Sequence, residues 1–172
     1  MSNFNIAALH LAKSIKADVD SSLLPPSEGQ PSSSERVIYL SLVKGTRHYI
    51  EQIAHQINGC YENGWYDACA VMIRRLIETL IIESFEAHSI ASKIKSSSGD
   101  FLSLKDLINS TVNETTWAIG RNACRALPRL KDIGNKSAHS RRYVAHRQDI
   151  DKVIDDLRIV IQELLFLSRL KE

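Results

Sequence analysis

The chain has 172 residues, 44% hydrophobic and 24% charged, with a formal net charge of +2. That is enough apolar material for one domain with a real core, and no apolar run approaches the ~20 residues of a bilayer-spanning helix. Cys60, Cys69 and Cys124 match no CxxC or Cys/His zinc spacing, so they read as reduced, mostly buried thiols of a cytoplasmic protein.

The start of the chain has no basic stretch followed by an apolar run, so no secretory leader is expected. Residues 5–17 carry Ile6, Leu9, Ala12 and Ile15 at helical spacing. Residues 18–34 contain Pro25-Pro26, Gly29, Pro31 and three consecutive serines, the composition of a linker. The expected organisation is an N-terminal helical arm with its linker over 1–34, followed by a helical bundle domain over 35–172. The sequence does not choose between an arm docked on its own bundle and one that binds a partner.

Ser32 and Glu35 fit a capping box that opens a long helix running to about Tyr61. Val37, Leu40, Val43, Tyr49, Ile50, Ile53 and Ile57 face inward on it, with a turn at Gly45. Asn63-Gly64 signals a turn, and a second helix is expected over 65–88. A short helix over 102–112 is opened by Ser103, after a loop at Ser96-Ser97-Ser98-Gly99. Residues 116–140 are again helical in pattern but carry Pro128, which must kink or restart the helix. Asp149 caps a last helix with Ile150, Val153, Ile154, Leu157, Val160, Ile161, Leu164 and Leu165 as its apolar stripe. No segment alternates with period two. The fold class is therefore all-α, an up-and-down bundle of about four main helices.

Charge is concentrated in one place. Residues 121–147 hold eight Lys or Arg against the single acid Asp132, a local +7 that leaves −5 for the rest of the chain. The same stretch carries His139 and His146, whose side chains titrate most readily near neutral pH. A basic strip with a histidine is suited to a phosphate-bearing partner.

On a continuous helix Asp132, Asn135, His139 and Arg142 would share one face and could grip a phosphate or manage a proton. The plainer reading is a histidine hydrogen-bonded within a bundle, under a solvated basic surface. Gly134 and Ala138 make a small-residue surface best explained by close approach of another helix, in this chain or a second copy. Arg74 and Glu78 are four apart and can pair, either structurally or as part of a site. No P-loop, dinucleotide fingerprint, nucleophile elbow or paired Glu-x-x-His is present, and no metal or cofactor is expected.

Two segments together carry a resemblance. They are Tyr61-Glu62-Asn63-Gly64-Trp65-Tyr66-Asp67-Ala68 leading into Ile73-Arg74-Arg75-Leu76-Ile77-Glu78, and Ile133-Gly134-Asn135-Lys136-Ser137-Ala138-His139. They resemble the domain of unknown function 4145 family of the HEPN-like helical superfamily, over roughly residues 37–167. The resemblance implies a helical bundle, frequently dimeric, found in bacterial toxin–antitoxin, restriction and phage-defence settings. Active HEPN proteins are metal-independent RNases with an Arg-polar-x-x-x-His motif, whose histidine handles a proton while the arginine steadies the charged phosphorus. Asn135 and His139 match the polar residue and the histidine, but Gly134 stands where the arginine belongs.

The expectation that follows is a homodimeric module that binds RNA, a nucleotide or a protein partner without cutting. Its binding residues would be Arg74, Glu78, Arg129, Lys136, Arg141 and Arg142. One alternative is a metal-independent RNase using His139 and Asn135 at a dimer interface, with arginine supplied by Arg129, Arg142 or Arg74. Another is a helical protein–protein interaction module whose basic strip serves solubility.

Overall fold

The chain divides into two units, Met1–Gln30 and Pro31–Glu172. The structure, a computed structural model, describes Lys13, Ser14 and residues 36–171. Lys13 and Ser14 are helical and exposed. The rest of the expected first helix, the linker and the Ser32–Glu35 capping box lie outside the described residues.

The second unit is built from helices, and no strand occurs among its described residues. They are α1 (Leu40–Val43), α2 (His48–Glu62), α3 (Tyr66–Ala87), a 3-10 turn (Ala91–Ile94), α4 (Leu104–Asn113), α5 (Arg121–His139), α6 (Arg147–Asp151) and α7 (Ile154–Leu167). α3 is the central element and packs against α2, α5 and α7, while α5 also packs on α7. That placement explains why α3 is apolar around most of its circumference. Ile73, Leu76, Ile77, Leu80, Ile81 and Phe85 are all fully buried, each such side chain contributing ~1.5–3 kcal/mol of transfer free energy.

The expected long first helix is cut in two. Gly45, at φ +82°, turns the chain between α1 and α2, and Gly64, at φ +73°, does the same between α2 and α3. Left-handed backbone of this kind costs glycine nothing, which is why the turns fall there. The segment entering α1 is tied down by a buried side chain. Asn58 Oδ1 accepts from Val37 N (3.2 Å) and Ile38 N (2.9 Å), and its Nδ2 donates to Ile38 O (2.9 Å). Tyr49, expected inward, is 44% exposed. Its hydroxyl donates to the buried Glu83 carboxylate, which also takes Arg47 Nε at 2.8 Å. Partial burial and that carboxylate push the Tyr49 phenol up to about 12.

α4 opens as expected: Ser103 is its N-cap and accepts from Asp106 N. α5 is shorter than its sequence pattern, beginning at Arg121 and ending at His139. Pro128 does not restart it. The proline lies on the exposed side, where the carbonyl of Cys124, deprived of its helical donor, can turn to water. The last expected helix is likewise divided, because Asp149 closes the start of the short α6 and α7 begins only at Ile154.

Candidate functional site

The site is built where α5 crosses α3. At Gly134 the two helices come so close that a Cβ would lie 2.6 Å from Arg74 Cβ, 3.0 Å from the Ala70 carbonyl and 3.1 Å from Arg74 Cδ. Real Cβ atoms do not approach so closely, so only glycine fits between these backbones. The small surface thus serves a contact inside the chain. Gly134 is buried against α3, whereas Ala138 is exposed.

The stem of Arg74 lies across the glycine and its Nε donates to Asn135 Oδ1 at 3.0 Å. The pairing with Glu78 is looser, 3.5 Å from Nη1 to Oε2, with both side chains about one-third exposed at 29% and 34%. A surface pair of this kind adds little stability. Its consequence is orientation, since Asn135 and Glu78 hold the guanidinium from two sides. His139 follows Asn135 by four residues, one turn along the same face, and is exposed. Among the described residues its ring has no hydrogen-bond partner.

Beyond His139 the chain leaves the helix, with Ser140 as C-cap at φ −84° and ψ 125°. Arg142 is therefore not on the helical face with Asn135 and His139, a correction to the expected i, i+3, i+7, i+10 alignment. Arg141 and Arg142 instead sit in a short connection whose backbone is held by side chains. Ser140 Oγ accepts from Tyr143 N (3.3 Å), Asp67 Oδ1 from Ala145 N (3.1 Å) and Asp149 Oδ2 from His146 N (3.0 Å). The His146 amide is the main reason the Asp149 carboxyl is held below its usual range.

α6 is fixed in turn by the buried Tyr61. Its hydroxyl donates to Asp151 and accepts from Arg147 Nε at 3.0 Å. Burial first, then the Asp151 carboxylate, raise the Tyr61 phenol above its ordinary value. The loop bearing Arg141 and Arg142 is thus preformed between two anchored ends.

The eight cations of the basic segment separate into two groups. Arg129 is paired with Asp156 of α7 (2.9 Å), Lys131 with Asp132 (3.0 Å) and Arg147 with Asp151 (3.8 Å). Arg121, Arg125, Lys136, Arg141 and Arg142 are exposed and have no carboxylate partner among the described residues. Arg129 stands about 10 Å along α5 from Lys136, at 1.5 Å per residue. It does not join the group at the helix end. What the fold assembles is Arg74, Glu78 and Asn135 in contact, with Lys136 and His139 on the last turn of α5 and Arg141 and Arg142 just beyond it.

Asp67 was not singled out from sequence. An aspartate in the first turn of a helix is ordinary, and nothing local marks it as the acceptor for an amide 78 residues away. Chemically, the cluster offers a fixed guanidinium, an amide, an exposed imidazole and three cations without a carboxylate partner among the described residues. That set can bind phosphate oxygens by charge-assisted hydrogen bonds, and its imidazole is open to solvent for proton exchange.

The model of the family described as a domain of unknown function (DUF4145) matches residues 55–172. The chain belongs to that family. Among curated proteins no significant match is found, and none is found among solved structures. The matched region contains every residue of the cluster. Among the described residues no helix is long and apolar enough to cross a membrane.

Proposed function

We propose that this chain is a HEPN-like helical module that binds RNA at the C-terminal end of α5 and holds it without cutting it. One observation carries the reading: Lys136, Arg141 and Arg142, free of carboxylate partners among the described residues, stand beside an Arg74–Asn135 pair on a preformed loop and helix end. Within the same segment Arg129 and Lys131 are paired with carboxylates, so their charge is already answered. Leaving three together suits a polyanion. The HEPN likeness, and with it dimerisation and a toxin–antitoxin or phage-defence setting, rests on the two sequence motifs. Gly134 lends no support to a dimer, since its surface is covered within the chain.

The test is RNA binding as a function of salt. Each phosphate contact to a single strand contributes ~0.7 to the slope of log affinity against log salt. Arg141→Ala with Arg142→Ala should therefore weaken binding and flatten that slope by about 1.4 if each meets one phosphate. Full-strength binding by the folded double variant would move the ligand elsewhere.

A second reading, a metal-independent RNase, is favoured by the position of Arg74. The arginine missing at 134 has a counterpart that reaches Asn135 from α3, one turn from His139. A guanidinium there can stabilise charge at phosphorus, usually a large catalytic contribution, and His139 can exchange a proton. RNA cleavage in EDTA that is lost in both His139→Ala and Arg74→Lys would establish it. Intact RNA after prolonged incubation with wild-type protein leaves the binding module.

A further inference from the structure

The two tryptophans of the chain are used differently. Trp117 is structural: its indole Nε1 donates to the Thr111 carbonyl at 3.1 Å, and its ring meets Phe85 and His88 edge-on. Trp65, at the N-cap of α3, is 43% exposed, and among the described residues its indole nitrogen has no partner. The exposed part of the ring offers an apolar face and a free N–H to a ligand.

Its location joins it to the basic cluster. Trp65 is two residues from Asp67, whose carboxylate holds the Ala145 amide. Ala145 lies three residues from Arg142, at most about 11 Å of chain. Val144 between them is 62% exposed. The segment carrying the half-exposed Trp65 and the loop carrying Arg141 and Arg142, which have no carboxylate partner among the described residues, are thus joined by the Asp67–Ala145 hydrogen bond.

We propose that Trp65 is a stacking platform for an unpaired base and that the ligand is therefore single-stranded RNA, its phosphates running over Arg141 and Arg142. This deepens the RNA-binding reading and rests on it. In a duplex the base faces are covered by their neighbours, so the indole gains nothing. An unpaired base has a free face of any identity, and the platform therefore discriminates strandedness and not sequence.

The experiment uses the full chain and a short labelled single-stranded RNA of mixed sequence, beside the blunt duplex of the same sequence, at low salt. Trp65→Ala should lose about 5- to 150-fold in affinity for the single strand, the range measured for one base–aromatic stack. Its salt dependence should be unchanged, and so should its affinity for the duplex. Trp65→Phe should keep most of the affinity. In wild type the single strand should quench tryptophan emission, and in Trp65→Phe the remaining Trp117 emission should not respond.

If Trp65→Ala and Trp65→Phe bind the single strand like wild type while the Arg141/Arg142 variant does not, the platform is wrong and the RNA-binding reading survives. Equal losses on strand and duplex would also overturn the platform, as would a Trp65→Ala change confined to self-association. If wild-type protein binds neither RNA, both readings fall together.

Discussion

Arg74 and Gly134 are in contact across the α3–α5 crossing. The arginine stem fills the space that any side chain at 134 would need, and its guanidinium reaches Asn135 on the next residue of α5. Taking the arginine away from α5 and supplying it from α3 are thus two sides of one packing arrangement. Restoring arginine at 134 cannot test catalysis, because Arg74 and the Ala70 carbonyl already occupy the room.

Gly134→Ala should destabilise the fold. Alanine gains ~1 kcal/mol in helix propensity. Its Cβ meets Arg74 Cβ and the Ala70 backbone, however, and neither is the far end of a flexible chain. Overpacking of this kind costs ~1–3 kcal/mol, so the net change should be a loss of about 1 kcal/mol. Urea denaturation measures it, and a more stable variant would mean that the helices part freely at this point.

Asp67→Ala should loosen the loop carrying Arg141 and Arg142 while leaving the bundle folded. The lost hydrogen bond to Ala145 N is worth ~0.5–1.5 kcal/mol. Hydrogen exchange should speed up at the Ala145 amide by about an order of magnitude and stay unchanged in the middle of α3. Equal protection of Ala145 in the variant would mean that Asp67 does not hold the loop.

Asn58→Ala should be among the most damaging single changes. It strands the amides of Val37 and Ile38 and the carbonyl of Ile38 in the interior. Each buried group left without a partner costs ~1–3 kcal/mol, and partial recovery by water should leave a loss of about 2–4 kcal/mol. The melting temperature reads the effect. A melting temperature close to wild type would show that the entry into α1 tolerates release.

Glu114 gives a pH signature. Hydrogen bonds first from Lys93 Nζ and then from Thr116 lower its carboxyl from an ordinary 4.5 to about 2. A carboxylate with a depressed folded-state value stabilises the fold above its unfolded value and loses that contribution as pH falls through the folded one. Wild type should therefore exceed Glu114→Gln in melting temperature at neutral pH. The gap should narrow below pH 4.5 and close near pH 2. A gap constant over that range would place the stabilisation in shape and not in charge.

Much of the scaffold was legible because helices are local. Period-3.6 apolar stripes marked α2, α3, α5 and α7, and Asn63-Gly64 and Ser103 marked a turn and a cap within a few residues of where they act. The endpoints were less legible. The helical pattern of α5 begins near residue 116 but the helix opens only at Arg121, although its expected end near 140 falls one residue from His139. The last stripe does not announce the break between α6 and α7.

From sequence alone, then, came the helical class, the basic segment, and Asn135 and His139 as neighbours on one turn, all set by spacing along the backbone. Tertiary structure alone decided that Gly134 packs against its own chain, that Arg74 from 61 residues away bonds Asn135, and that Arg129 is neutralised while Arg141 and Arg142 have no carboxylate partner among the described residues. Such pairings are fixed by the crossing of helices far apart in the chain. Spacing within one helix carries no information about what lies across from it.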